Sequence, residues 1–256
     1  MSLNFDKIGS TVARIKDNTQ YKNKDIISVA TDEFDSETTK TFKSLRLNTG
    51  HFQPIPNINS ERSCNLIVGA SGSGKSRYIC EWVKEYKKMY KKNPVYLFSS
   101  LDSDESLEPI KPLRMILDNE FLNEEIDLKI YKNSCVIFDD CDTIQNKKIQ
   151  DKVYVIMNMM LNTGRHHNIT VWVVNHTATG TKAQMKTILN ECHTVVYFSA
   201  NHNRQLSYML ENYCGLDHKE QKVIRQLNSR WTCINKHYPQ CCITDKNIFM
   251  LSELHD

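Results

Sequence analysis

Short apolar runs alternate with longer amphipathic stretches from residue 64 onward, and this alternation predicts an α/β fold. Five apolar runs predict strands: CNLIVG from Cys64, PVYLFSS from Pro94, SCVIFDD from Ser134, ITVWVVNH from Ile169 and HTVVYFS from His193. Continuous apolar runs of this length are typical of parallel strands that are buried on both faces. The more polar residues 1–60 predict an arm or small appendage ahead of an α/β domain that spans residues 61–256.

Helical periodicity separates these strands. Apolar residues recur at helical spacing in two long stretches, at Ile79, Trp82, Val83, Tyr86 and Tyr90, and at Ile149, Val153, Ile156, Met157 and Met160. We expect the second helix to end near Asn162, with Gly164 as a left-handed cap. After residue 201 the pattern predicts two further helices and then a small C-terminal strand pair with its turn at Tyr238 and Pro239.

Composition narrows the class of protein only slightly. The 256 residues contain 33 basic and 30 acidic side chains, so the net charge of +3 does not indicate a nucleic-acid coat. Nine scattered cysteines without a C-x-x-C pair suggest reduced thiols and an intracellular protein. No apolar run approaches the roughly 20 residues that cross a bilayer, and no signal-peptide core is present, so we expect no membrane span.

A glycine-rich stretch, VGASGSGKS, lies between the first predicted strand and the first predicted helix. It fits the pattern G-x-x-x-x-G-K-[ST], in which glycines let backbone N–H groups surround a phosphate and the helix N-terminus adds its dipole. We expect Lys75 to contact the β- and γ-phosphates of ATP and Ser76 to bind Mg²⁺. A flexible linker is the alternative. The predicted nucleotide-binding residues are Gly69, Ala70, Ser71, Gly72, Ser73, Gly74, Lys75 and Ser76.

Two carboxylates end the predicted strand that begins at Ser134. This arrangement has the form of a Walker B motif, in which Asp139 would hold Mg²⁺ and Asp140 would accept a proton from the attacking water. Alternatively, the two acids only cap the strand or the helix that follows. Paired acids at a strand tip favour an NTPase that activates water over a kinase for small molecules.

Three further polar residues are candidates for catalysis. Asn175 and His176 end an otherwise apolar strand, where they would sense the γ-phosphate or merely cap a turn. Arg165 directly follows the predicted helix stop, and it would stabilise transition-state charge in a neighbouring subunit or simply interact with the helix dipole. The rival arginines for the first of these roles are Arg204, Arg225 and Arg230.

Together the motifs GASGSGKS, CVIFDD and TGRHHNITVWVVNH resemble the DNA-packaging ATPases of nucleocytoplasmic large DNA viruses, poxviruses and virophages, within the FtsK-HerA branch of P-loop motors. The resemblance runs from about Cys64 to the C-terminal strands. It implies a mainly parallel sheet of the additional-strand type, with order 5-1-4-3-2 and flanking helices. It also implies a homo-oligomeric ring that uses ATP to move double-stranded DNA into a capsid, with capsid or portal-vertex proteins as partners. The implied location is the host cytoplasm, a virus factory or the virion.

Two positions depart from that family pattern. His176 stands where the family often has Gln, and Asp140 stands where cellular relatives commonly have Glu. Because Asp is one methylene shorter than Glu, either the attacking water lies closer or the base is weaker. Two other functions stay open beside the motor: a P-loop nucleoside or nucleotide kinase, and a scaffold that binds ATP to assemble but barely hydrolyses it. A helicase or AAA-type remodeller is disfavoured because a helical lid of the usual length is missing.

Overall fold

The computed structural model describes residues 1–22, 24–31, 40–60, 62–177, 183–198 and 204–254. By their contacts they divide into two units, one made of Met1–Ser60 with His193–Asp256 and the other of Glu61–Cys192. The predicted ATPase domain extended from residue 61 to residue 256, so the structure places the last part of that domain in the other unit. Among the described residues, no helix is both long and apolar enough to cross a bilayer.

The N-terminal residues form strands where the sequence suggested an arm. Their bounds are β1 (Ser2–Asn4), β2 (Ser10–Lys16), β3 (Ile26–Ala30), β4 (Thr41–Phe42), β5 (Ser44–Arg46) and β6 (His51–Pro54). Five of these strands pair antiparallel in the order β4-β1-β3-β2-β6.

Buried polar side chains explain why this sheet looks polar in sequence. Asn4 is fully buried, and its Oδ1 accepts hydrogen bonds from the backbone N–H groups of Asp6 and Ile8. Thr11 is also buried and donates from Oγ1 to the carbonyl oxygen of Pro56 at 3.1 Å. Satisfied polar groups of this kind tolerate burial, so the polar composition did not exclude a folded sheet.

The unit formed by residues 61–192 contains the predicted glycine loop and acidic strand. Its elements are β7 (Cys64–Val68), α1 (Lys75–Met89), β8 (Val95–Ser99), β9 (Leu113–Arg114), α2 (Asn119–Asn123), β10 (Ser134–Asp139), α3 (Lys147–Thr163), β11 (Ile169–Asn175) and α4 (Ala183–Glu191). The strands are parallel and lie in the order β7-β11-β10-β8-β9. Strands β7, β10 and β11 are buried along their whole lengths, as their continuous apolar runs predicted.

Aromatic packing holds α1 against this sheet. Trp172, in the middle of β11, meets the ring of Trp82 edge-on at 5.2 Å between centroids and the ring of Tyr78 at 6.1 Å. All three side chains are buried. This contact fixes the start of α1 beside the ends of the central strands, where the glycine loop lies.

The chain after residue 192 begins with β12 (Thr194–Tyr197), which corresponds to the fifth predicted strand. Beyond it the structure contains three strands rather than the predicted pair. These elements are α5 (Arg204–Cys214), α6 (His218–Gln226), β13 (Thr232–Asn235), β14 (Cys241–Ile243) and β15 (Asn247–Met250). The strands β12 to β15 pair antiparallel, with β5 joining beyond β15. The missed turn lies between β14 and β15, where Thr244 N–H donates to the Asn247 carbonyl oxygen at 2.7 Å and Asn247 N–H donates back to Thr244 Oγ1 at 2.9 Å.

The end of α3 differs from the expected left-handed cap. Gly164 has φ −57°, in the right-handed region, and the chain continues as one 3₁₀ turn until Asn168 adopts the left-handed conformation at φ 52°. Arg62 supplies the missing cap, because its Nη2 donates to the carbonyl oxygens of Met160 (3.0 Å) and Leu161 (2.8 Å). Its Nε also donates to the Ile169 carbonyl oxygen at 3.1 Å, which ties the helix end to the start of β11.

We expect Arg62→Ala to lower the free energy of unfolding by about 1.5–3 kcal/mol, because three backbone carbonyls lose a charged donor. Urea unfolding measures the change. Lys148→Ala, at an exposed position of α3, is the control and should have little effect. Equal unfolding midpoints for Arg62→Ala and Lys148→Ala would contradict the capping role.

Candidate nucleotide-binding site

The parallel register brings three polar strand ends to one edge of the sheet. Val68 at the end of β7 pairs with Asn175 at the end of β11, and Asp139 at the end of β10 pairs with Val174. On its other side Asp139 pairs with Ser99, the last residue of β8. The carboxyl ends of parallel strands, followed by helix N-termini, are where α/β sheets bind ligands.

The glycine loop is attached directly to the end of β11. Gly69 N–H donates to the Asn175 carbonyl oxygen at 3.2 Å, and Ser73 N–H closes a turn on Ala70 O at 3.1 Å. Gly72 and Gly74 have φ of 71° and 108°, in the region that a Cβ disfavours. The loop therefore needs glycine at these two positions to place its N–H groups around an anion at the start of α1.

Lys75 is held in place by the loop itself. It is only 7% exposed, and its Nζ donates to the carbonyl oxygens of Gly69 (2.8 Å) and Ala70 (3.2 Å). These bonds keep one positive charge at the mouth of the loop, where an anion binds. Ser76 follows in the first turn of α1 and is partly exposed.

Asp139 is a buried acid without a hydrogen bond to its carboxylate among the described residues. It is 4% exposed, and burial is the main cause that raises its pKa to about 7. The carboxylates of Asp140 and Asp104 raise the pKa further, whereas Lys75 and Arg114 lower it. A buried, unpaired carboxylate next to a phosphate-binding loop is suited to bind a hard cation such as Mg²⁺, so the residues present fit MgATP.

Asp140 and His176 face each other beyond the strand ends. Asp140 has a left-handed backbone, with φ 47°, and its carbonyl oxygen accepts bonds from Thr143 N–H (3.0 Å) and Thr143 Oγ1 (2.8 Å). His176 Nε2 lies 3.1 Å from Asp140 Oδ1, an ion pair when the imidazole is protonated. No donor within the described residues is aligned for a hydrogen bond to this buried oxygen. Asp140 is thus oriented through its backbone, and its Oδ1 faces the His176 imidazole.

Asn175 is nearly buried, and its side chain points toward α4. Its Nδ2 lies 3.8 Å from Met185 Sδ, while its backbone carbonyl contacts the glycine loop. The predicted sensor residue thus connects the loop with α4. His176, the next residue, is the one whose side chain contacts an acid of the site.

Arg165 is not brought into this site. It is exposed in the 3₁₀ turn that precedes β11, whereas the site lies beyond the other end of that strand. The length of β11 separates the two ends by about 20 Å at the usual rise per residue. Of the rivals, Arg225 bonds to Ser207 and Gln221. Within unit 61–192, therefore, Arg165 stands at the edge of the sheet that is remote from the glycine loop.

Two residues near the site were missed in the sequence. Asp104 and Arg114 lie in and after the connection that follows β8, and the charges of both act on the Asp139 carboxyl. Arg114 Nη1 also donates to the Leu101 carbonyl oxygen at 3.0 Å. The acidic character of this connection was visible in the sequence, but no motif marked which residue comes near Asp139.

Comparison with known proteins gives one close relative. No protein-family model matches the chain. Over 204 residues the chain is 38% identical to the uncharacterized protein V3 of Sputnik virophage, and the alignment covers 79% of this chain and 82% of V3. The chain belongs to the V3 family.

Solved structures give the fold of this V3-family member. The DNA-packaging ATPase B204 from Sulfolobus turreted icosahedral virus superposes with a TM-score of 0.51 at 12% identity, covering 73% of this chain and 98% of B204. The cytoplasmic domain of the Thermomonospora curvata type VII secretion ATPase EccC gives 0.51 at 10% identity, covering 80% of this chain and 28% of EccC. The V3-family member thus has a P-loop ATPase-like α/β fold, and in fold it is similar to the DNA-packaging ATPase B204.

The raised pKa of Asp139 predicts a pH-dependent stability without nucleotide and metal. Folding raises this pKa from 3.8 to about 7, so the protonated acid favours the folded state below pH 4 and this contribution is lost as pH rises through 7. Asp139→Asn should therefore gain stability relative to the parent protein between pH 5 and pH 8, measured as melting temperature in EDTA. Asp142→Asn, an exposed neighbour, should show a constant difference. Parallel curves for Asp139→Asn and the parent would contradict this assignment.

Proposed function

We propose that this protein is an ATP-hydrolysing motor that works as a homo-oligomeric ring and translocates double-stranded viral DNA into a capsid. The observation that carries the proposal is the meeting, at one sheet edge, of the glycine loop, the acids after β10 and the polar pair that ends β11. A phosphate-binding loop alone would serve many enzymes, whereas paired acids beside it suit the activation of water. The description of B204 as a DNA-packaging ATPase supports DNA as the cargo.

The proposed partners are double-stranded DNA and capsid or portal-vertex proteins. The proposed location is the host cytoplasm, a virus factory or the virion. The pairing order β7-β11-β10-β8 supports an additional-strand sheet, for which the proposed order is 5-1-4-3-2. ATP and Mg²⁺ are the proposed ligands.

Each residue of the site has a defined task in the proposed hydrolysis. Backbone N–H groups of residues 69–76 and the Lys75 ammonium hold the β- and γ-phosphates. The Ser76 hydroxyl and the Asp139 carboxylate would hold Mg²⁺, which when bound neutralises charge on the β- and γ-phosphate oxygens. Asp140 accepts the proton of the attacking water through its carboxylate, and His176 positions that carboxylate, because its Nε2 lies 3.1 Å from Oδ1.

Asn175 and Arg165 have indirect tasks in this proposal. Asn175 transmits the state of the loop to α4, because its carbonyl oxygen bonds Gly69 N–H and its Nδ2 approaches Met185. Arg165 acts on the ATP of a neighbouring subunit, since it lies at the opposite sheet edge from the ATP site of its own chain. An exposed arginine on a short, hydrogen-bonded turn suits insertion into an adjacent site.

Two substitutions separate binding from chemistry. We expect Lys75→Ala to lose binding of a fluorescent ATP analogue, because a buried positive charge at the loop is removed. Asp140→Asn should keep that binding and lose at least about 100-fold in phosphate release, because the proton acceptor is gone. Asp142→Asn is the matched control with an unchanged rate. Normal turnover by Asp140→Asn would refute the role as base, and phosphate transfer to a nucleoside by the parent protein would support the kinase instead.

A mixing experiment tests the proposed action of Arg165 in a neighbour. Arg165→Ala alone should bind ATP normally and lose about 1,000-fold in turnover within the assembled ring. Mixing the Arg165→Ala and Lys75→Ala variants should restore part of the turnover. In mixed rings, the intact Arg165 of a Lys75→Ala subunit can face the intact glycine loop of an Arg165→Ala subunit. His166→Ala, exposed and adjacent, is the control and should stay active. Failure of the two inactive variants to complement each other would place Arg165 outside catalysis in trans.

A further inference from the structure

The short 3₁₀ turn after β10, Cys141–Thr143, is fastened to the elements on both sides of it. Cys141 is buried, and its Sγ donates to the Phe98 carbonyl oxygen on β8 at 3.7 Å. On the other side, the buried amide of Gln150 on α3 donates from Nε2 to the carbonyl oxygens of Cys141 (3.2 Å) and Asp142 (2.9 Å). These contacts hold the turn without using the side chain of Thr143, its last residue.

Thr143 joins Asp140 to the end of β8 through its hydroxyl group. Its Oγ1 donates to the Asp140 carbonyl oxygen at 2.8 Å, and Ser100 Oγ lies 2.8 Å from the same Oγ1. A threonine hydroxyl has one hydrogen, which the Asp140 carbonyl oxygen already receives. Ser100 must therefore donate the second bond, so the two bonds run in one direction, from the end of β8 to the backbone of Asp140.

The backbone of Asp140 has a conformation that requires support. Its φ of 47° and ψ of 38° lie in the left-handed region, which residues with a Cβ adopt less readily than glycine. The carboxylate of the same residue faces His176, with Oδ1 at 3.1 Å from Nε2. A rotation of the Asp140 backbone would therefore move the carboxylate relative to the imidazole.

We propose that Ser100 and Thr143 are positioning residues, which hold the Asp140 carboxylate in place to accept the proton of the attacking water. This inference rests on the proposed hydrolysis of ATP, in which Asp140 is the base. Both hydroxyls act through the Asp140 backbone and not on the reacting atoms. Because a base must lie within hydrogen-bond reach of the proton it accepts, a small displacement of Asp140 slows this step and leaves the phosphate-binding loop unchanged.

Removal of the Thr143 hydroxyl tests the proposal. Thr143→Val keeps the shape of the side chain and the bond from the residue 143 N–H to the Asp140 carbonyl oxygen. We expect kcat for phosphate release to fall about tenfold, while the affinity for a fluorescent ATP analogue stays within about twofold of the parent protein. Thr143→Ser restores a hydroxyl at this position and should recover most of the rate.

Ser100→Ala removes the other hydroxyl of the pair. It should lower kcat by about threefold, because the bond it loses supports Thr143 and does not reach Asp140 directly. Ser103→Ala is the matched control, since it removes the hydroxyl of an exposed serine in the same segment. Its kcat and its affinity for the analogue should equal those of the parent protein.

Two further measurements separate positioning from a general loss of structure. In a protein that already carries Asp140→Asn, Thr143→Val should cause no additional loss of kcat, because the base that it positions is gone. The NMR signals of the His176 ring, assigned by comparison with His176→Gln, should shift in Thr143→Val and return in Thr143→Ser, because they report the contact with Asp140. Melting temperatures should be alike for all of these variants.

The outcomes distinguish this inference from the proposed function. With an active parent protein, an unchanged kcat in Thr143→Val refutes the positioning role. A loss of kcat that Thr143→Ser does not recover, that persists in the Asp140→Asn background or that comes with weaker binding of the analogue also overturns it, because a structural effect would then explain the loss. A parent protein that releases no phosphate from ATP refutes the proposed function. In that case a shift of the His176 signals in Thr143→Val still supports the positioning of Asp140, and unchanged signals refute it.

Discussion

The parallel register of β7, β11 and β10 is the constraint on which the nucleotide site depends. It sets Val68 beside Asn175 and Val174 beside Asp139, so that the glycine loop, a polar amide and an acid from distant parts of the chain lie at one edge of the sheet. The bond from Gly69 N–H to the Asn175 carbonyl oxygen then extends the ladder into the glycine loop. A shift of one residue in the pairing register would move every side chain of a strand to the opposite face of the sheet. The polar residues at the strand ends would then no longer lie together.

One lysine and one buried acid lie at this edge of the sheet, and together they suit a ligand that carries both positive and negative charge. Lys75 directs its ammonium to carbonyl oxygens of its own loop, and Asp139 is left buried without a bonded counter-charge. Desolvation then raises the pKa of the Asp139 carboxyl to about 7, because burial disfavours its charged form. In the proposed complex, magnesium bound to a nucleotide would supply a cation for the acid and phosphates for the lysine, which would satisfy both groups together.

Sequence patterns predicted the elements with strong hydrophobic periodicity. They failed to predict the strands in which polar side chains are buried. The buried runs that became β7, β10 and β11 were identified because parallel strands are apolar on both faces. The N-terminal sheet was missed because residues such as Asn4 and Thr11 are buried with their hydrogen bonds satisfied within the protein. Gly164 was taken for a left-handed cap, whereas Arg62, which is distant in sequence, bonds the helix carbonyls.

By itself the sequence determined the backbone conformation and the charge of the glycine loop, because the backbone freedom of Gly72 and Gly74 and the charge of Lys75 are local properties of adjacent residues. It also determined which strand carries the acids. Only the tertiary structure decided that His176 lies against Asp140 and that Arg165 stands at the opposite sheet edge. These relations arise from strand order and packing, which link residues far apart in the chain and leave no periodic trace in the sequence.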